Sequence, residues 1–242
     1  KNKETPHINL WGVFFDLKNK LNYILSMSRY QEFLNSFDKS VLESKRNIEE
    51  IELIAVSKRQ SIENILSIIN EGHLCFGENQ IQEVLKKWPE IKGDHPKAKT
   101  HFIGTIQSKK LVDITQSCDV VHTIDREKLL QILSKMDQKL LVEKSFFIQI
   151  NTGNELQKSG IKLDYAEEFL ELCKNHDIKA DGLMCIPPEN ESPAKHFEIM
   201  QSLARNNHIK NLSMGMSNDF DIALQYGSTH IRVGTAIFGK RD

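Results

Sequence analysis

In the run "IELIAVSK", Ile51 to Lys58, an amine follows Leu53, Ile54, Ala55 and Val56 with one serine between. An apolar stretch of that kind predicts a strand leaving a core. A lysine at its end would sit in a largely dehydrated mouth, where burial favours the neutral amine. A neutral lysine attacks aldehydes, so a Schiff base is the natural chemistry. The same lysine could equally reach out to solvent along its own stem. What the other strand ends carry decides between the two.

Two glycine-containing stretches near the carboxyl end point toward a ligand. "MGMSND" supplies Gly215 and Ser217, and "RVGTAIFG" supplies Gly234 and Thr235. Small residues, hydroxyls and backbone amides at helix starts can hold a phosphate without a lysine cluster. The same residue types also serve as ordinary turns and caps. Arg232, in the apolar run before the second stretch, is harder to dismiss, because an inward arginine is costly unless it meets an acceptor. His101 in "THFIG", Asn151 closing "SFFIQIN" and Met184 in "GLMC" are candidate lining residues. Glu78 in "FGENQ" reads as a capping or ion-pairing group ahead of a general base.

Repetition along the chain shows what must position these residues. Short apolar runs at 51–56, 73–76, 100–104, 119–123, 145–151, 178–185, 211–215 and 229–234 alternate with segments of helical period, the pattern of strand-helix units around a parallel sheet. Eight such units, without a GxGxxG fingerprint, predict an α/β protein of the (β/α)8 TIM-barrel class ahead of an open doubly wound sheet. In that fold the loops after the strands build the active face, and the residues singled out above fall there. Phe33, Leu34, Phe37, Val41 and Leu42 recur at helical spacing within 30–50, predicting an additional amino-terminal helix packed across the barrel. No Pro-, Gly- or Ser-rich linker divides residues 29–242, so they read as one domain behind an extension, 1–28, of no assignable role.

Bulk properties limit the partners. A formal net charge of -1 over 242 residues offers no basic field for nucleic acid and no polybasic membrane patch. Cys75, Cys118, Cys173 and Cys185 are scattered, without CxxC or paired histidine spacing, so neither a metal site nor a disulfide framework is expected. The apolar "NLWGVFFDLKNKLNYIL" is broken by Asp16, Lys18 and Lys20, and no run reaches the roughly 18 apolar residues of a membrane span. The expectation is a cytoplasmic chain with reduced thiols and a small-molecule partner. A closed barrel without an evident apolar stripe further predicts a monomer.

An imine-forming lysine, a phosphate cradle and an inward arginine in one barrel mouth suggest pyridoxal 5'-phosphate. The motifs "AVSK", "FGEN", "HFIG" with "QSKK", "HTID", "QIN", "KSG", "GLM", "SMGMSNDF" and "RVGTAIFG" occur in this order, and over about residues 30–242 the chain resembles the YggS/PROSC family of pyridoxal-phosphate homeostasis proteins. The resemblance implies a fold-type III barrel like the amino-terminal domain of alanine racemase, with the cofactor held on Lys58 as an internal aldimine. It further implies phosphate contacts from Ser217, Gly234 and Thr235, and Arg232 facing the pyridine nitrogen. Asn79, His101, Asn151 and Met184 would line the cofactor. An arginine cannot in practice give up its proton, so the ring nitrogen would stay unprotonated and the cofactor would be a weak electron sink. Arg59, Gln60 and Gln80 replace a second lysine and an aromatic found in many relatives, and Lys109 stands where "QSNK" is usual. These departures bear on secondary lysine-based routes and leave the imine and phosphate contacts intact.

The function so implied is a non-catalytic carrier in intracellular pyridoxal-phosphate homeostasis, with pyridoxal-phosphate-dependent client enzymes as partners. The alternative is an amino-acid racemase or related fold-type III enzyme. Racemisation needs a base on each face of the substrate carbanion, and in the racemase the second is a tyrosine of a carboxyl-terminal β-domain. Here Tyr23, Tyr30, Tyr165 and Tyr226 fall at no predicted strand end, and the sequence closes soon after the eighth strand. A cofactor-free Schiff-base aldolase would use the same lysine and phosphate site, but lacks an evident acid-base partner.

Overall fold

The computed structural model describes residues 28–239, so the extension considered above, apart from Ser28, lies outside the described residues. Nine strands follow one another: β1 (Glu52–Val56), β2 (Cys75–Glu78), β3 (Lys99–Phe102), β4 (Val120–Ile124), β5 (Ser145–Asn151), β6 (Ile161–Lys162), β7 (Gly182–Cys185), β8 (Asn211–Ser213) and β9 (His230–Val233). All pair in parallel. β1 lies between β2 and β9, and β4 meets β5, so eight strands close into a barrel without edges. Each apolar run read from the sequence overlaps one of the eight, with the runs at 73–76, 100–104 and 119–123 displaced by one or two residues from β2, β3 and β4. The two-residue β6, which only extends the far end of β5, is too short to leave a periodic signal.

Period-two alternation sorts the strand residues into two layers. Leu53 and Ala55 join the large apolar core between strands and helices, whereas Ile54 and Val56, also buried, lie outside that cluster on the barrel's inner side. The inner layer is unusually polar. It carries buried His101, His122, Ser213 and Arg232 beside Ile54, Phe147 and Met184.

Ten helices are described: α1 (Arg29–Glu43), α2 (Ile62–Asn70), α3 (Ile81–Asp94), α4 (Leu111–Ser117), α5 (Glu127–Leu133), α6 (Gln138–Val142), α7 (Ala166–Asn175), α8 (Pro193–Asn206), α9 (Phe220–Gln225) and α10 (Thr235–Phe238). Among the described residues β9 is followed by the four-residue α10, and α1 packs on α9 and α10. Ser28 caps α1 by accepting from the Gln31 amide, and the Ser28 and Gln31 side chains both donate to Glu71 just beyond α2. The ring of Phe220 sits 5.6 Å from Phe33 and 5.8 Å from Phe37. The helix ends at Glu43, short of the expected residue 50, and a 3-10 turn at Ile48–Glu50 leads into β1. Leu42, expected on the buried face, is 78% exposed. Tyr30, Phe33, Phe37 and Val41 occupy the seam, and the next position rotates away by a full 100°.

Candidate functional site

The chemistry collects at the carboxyl ends of the strands. A cavity of about 370 Å³ there is lined by Lys58, Asn79, Met184, Ser217, Arg232, Gly234 and Thr235, together with Val56, Ile103, Gly104, Thr105, Ile186 and Met216. Seven of the nine residues expected at the site therefore surround one space, of the size common for small-ligand pockets.

The backbone beneath Lys58 is tied down from several sides. Ser57 takes its amide hydrogen bond to the Gly77 carbonyl at 2.9 Å and donates its hydroxyl to Glu78 Oε1 at 2.8 Å. Lys87, from α3, donates to the Ser57 carbonyl at 3.1 Å and lies 2.6 Å from Glu78 Oε1 and 2.8 Å from Glu83 Oε2. On the other side the Arg59 amide donates to Glu83 Oε2 at 2.6 Å, with Arg59 in the left-handed region at φ 61. Two fixed residues thus flank the lysine and aim it into the cavity. Glu78, fully buried under α3, is part of this anchor: burial pushes its carboxyl up, against the opposing pull of Lys87 and Ser57. The structural reading of Glu78 matches the geometry.

Arg232 is 4% exposed. Its guanidinium donates to the Cys185 carbonyl at 2.9 Å and to Ser213 Oγ, and among the described residues no carboxylate pairs with it. Burial pushes it below the ordinary arginine range, with Asp219 pulling the other way. From Ser213 a column of polar groups descends the barrel: His122 Nδ1 lies 2.8 Å from Ser213 Oγ, His101 Nδ1 lies 3.0 Å from His122 Nε2, and His101 Nε2 lies 2.7 Å from Glu52 Oε1. Burial holds His122 well below the usual imidazole range, with His101, His230 and Arg232 adding to the effect.

His101 is consequently not at the cavity. It is fully buried lower in the barrel, since an inward position on β3 puts it a full residue pair below Ile103, which does line the space. Asn151 is displaced as well. Its Nδ2 donates to the Glu155 carbonyl at 2.8 Å and its Oδ1 accepts from the Glu155 amide at 3.2 Å, so it holds the following loop. It lines an adjoining hollow of about 280 Å³ that shares Thr105 and Ile186 with the main cavity.

Asn79 contributes an open acceptor, for its Oδ1 is buried without a hydrogen-bond partner. Two glycines allow the walls to approach. A Cβ on Gly104 would fall 2.0 Å from the Asn79 carbonyl oxygen, and Gly215 has φ +96 with Ala223 and Ile231 close by. Ile103, Gly104 and Thr105 went unnamed as site residues in the sequence, although their position just beyond a strand end was the available signal. Ile186 and Met216, each 37% exposed, lie at the same kind of position.

The architecture and the lysine after the first strand define a class, and the profile "Alanine racemase, N-terminal domain" matches residues 34–242. An alanine racemase from Clostridium difficile superposes with a TM-score of 0.62 over 84% of this chain and 55% of its own, at 13% identity, a likeness of fold alone. Within that class the chain belongs to the pyridoxal phosphate homeostasis protein family. It is 36% identical over 237 residues to the pyridoxal phosphate homeostasis protein of Vibrio alginolyticus, covering 93% of this chain and 98% of that one. The Vibrio cholerae protein of the same name is 39% identical over 203 residues, covering 79% and 86%. PipY of Synechococcus elongatus, solved with pyridoxal phosphate bound, has a TM-score of 0.68 and 28% identity over 82% of this chain and 96% of its own.

Proposed function

We propose that the chain binds pyridoxal 5'-phosphate in the barrel mouth through Lys58 and serves intracellular pyridoxal-phosphate homeostasis as a non-catalytic carrier. One observation carries this reading: a single lysine shares a cavity with a buried guanidinium that has no carboxylate partner among the described residues, and with Ser217, Gly234 and Thr235. Bound there, the cofactor supplies an aldehyde for the amine and a phosphate for hydroxyl and amide donors. Ser217, Gly234 and Thr235 hold the phosphate. Arg232 presents a fixed positive charge and only donors to the ring nitrogen, Asn79 Oδ1 receives a ring hydroxyl, and Met184 forms an apolar wall. His101 and Asn151 act indirectly, the first by supporting the column under Arg232 and the second by holding the loop beside the cavity. The names of the relatives and the bound ligand of PipY support the same choice.

The carrier reading rests on the cavity's poverty in proton-transfer groups. Among the described lining residues only Lys58 and Arg232 are ionisable. A racemase requires a second base opposite the lysine, and Tyr30, Tyr165 and Tyr226 all lie away from the cavity. We place the chain in the cytoplasm as a monomer that passes its ligand to client enzymes; no described helix is long and apolar enough to cross a membrane.

The test is spectroscopic. Protein mixed with pyridoxal phosphate should give a yellow species that borohydride fixes on the peptide containing Lys58, and Lys58→Ala should lose the label while retaining weak phosphate-dependent binding. Label on another lysine overturns the site. Amino-acid racemisation by the wild-type protein above a Lys58→Ala background overturns the carrier reading and leaves the site intact.

A further inference from the structure

At the foot of the polar column, at the end of the barrel opposite Lys58, three side chains from adjacent strands converge. Glu52 opens β1, Cys75 opens β2 and His101 lies on β3; one ligand atom from each falls within 4.8 Å of the other two. We propose that Glu52, Cys75 and His101 bind a divalent transition-metal ion of the zinc class through a carboxylate oxygen, Cys75 Sγ and His101 Nε2. The site is separate from the cofactor cavity and does not depend on it.

The geometry differs from that of an ordinary ion pair. Glu52 Oε1 approaches His101 Nε2 to 2.7 Å but off the line of a ring N–H, and both atoms are buried without an aligned hydrogen bond. The third donor, Cys75 Sγ, falls within 4.8 Å of both atoms, so the three enclose a space that one cation could share. His101 is fully buried, and its other nitrogen is engaged at 3.0 Å by His122 Nε2. That contact is the outer partner by which a metal-bearing imidazole is fixed in one tautomer, with Nδ1 carrying the proton and Nε2 free to coordinate.

The donor set selects the ion. A thiolate, an imidazole and a carboxylate together suit zinc or cobalt, whereas calcium and magnesium take oxygen ligands. Three protein ligands leave a fourth position for water. Glu52, whose side chain is 27% exposed, provides the way in from solvent. Uptake replaces the proton on Cys75 Sγ by the ion, and that proton leaves to solvent. The sequence hides this arrangement because its three members come from three different strands and form no short motif; the expectation of no metal site rested on spacing along the chain.

Cobalt(II) is the probe, added to chelator-treated, tag-free protein. One equivalent should remain after gel filtration by elemental analysis and give a thiolate-to-cobalt charge-transfer band, and zinc should displace it. Cys75→Ser should abolish the band, and Glu52→Gln should weaken affinity on the order of a hundredfold. Cys75→Ser should melt near the wild-type temperature without metal, whereas Glu52→Gln should melt lower, since it removes the carboxylate beside His101. Failure of the wild-type protein to retain cobalt, or a charge-transfer band that survives in Cys75→Ser, overturns the proposal. The wild-type titration decides the matter even if a variant folds poorly.

Discussion

At the scale of single residues, the placement of Lys58 depends on a group that never reaches the cavity. Glu78 joins the strand before it, the turn carrying the lysine, and Lys87 of α3 through contacts of 2.6 and 2.8 Å. Removing one member of a buried pair leaves the other charge uncompensated, which commonly costs 3–5 kcal/mol. Glu83 still attends Lys87, so Glu78→Ala should lose about 3 kcal/mol in urea unfolding. Its affinity for pyridoxal phosphate should also fall under conditions where the variant remains folded, and unchanged affinity would show that the anchor does not orient the lysine. Sequence reading locates Lys58 and Arg232 because each interrupts an apolar run at a strand end. It misplaces His101, since period two says that a strand residue points inward but not how deep it lies; depth depends on how neighbouring strands are staggered. Asn151 fails for a different reason. It stands at a strand end as expected, but the loop that follows folds back and takes both ends of its amide.

At the scale of elements, α1 is a structural part of the ring. Ser28 and Gln31 fasten its start to Glu71, and Phe33 and Phe37 seat against Phe220 of α9. Phe37 is 2% exposed, and truncating a buried phenylalanine costs about 3–5 kcal/mol. Phe37→Ala should therefore lower the unfolding midpoint strongly, whereas Leu42→Ala, at a 78% exposed position, should leave it nearly unchanged. Equal losses would mean that α1 packs through its other face. The eight strands of the barrel are legible because both of their faces are buried, which keeps short apolar runs recurring along the chain even where the inner layer carries polar groups. The α1 boundary is less so: Ile48 extends the apolar pattern past Glu43, yet it lies beyond the helix and is exposed.

At the scale of the whole molecule, the polar interior makes stability depend on pH. Burial lowers His230 from 6.5 to about 4, with Glu52 opposing, and lowers His122 well below 6.5. The folded state therefore binds fewer protons than the unfolded state once the pH drops below about 6.5. Stability should be full above that value and fall on acidification by up to about 1.4 kcal/mol per pH unit for each histidine, until the folded form titrates. Glu52 works against burial in the same direction further down, held at about 2 from 4.5 by His101, His230 and Lys99, so its contribution disappears between those values. Urea midpoints at pH 7, 6 and 5 should decline, and His230→Gln should flatten the decline; constant midpoints would mean that these imidazoles accept protons inside the fold. The column from Arg232 through Ser213, His122 and His101 to Glu52 has one further consequence. Arg232 can only donate, so Ser213 accepts from it and hands its own hydrogen down to His122, and His122 to His101, which leaves the remaining hydrogen of His101 on Nε2 beside the Glu52 carboxylate 2.7 Å away. Withdraw the acceptor at the bottom, or put a cation in its place, and His101 must turn its hydrogen upward, with His122 and Ser213 following. The two mouths of this barrel cannot choose their protons independently.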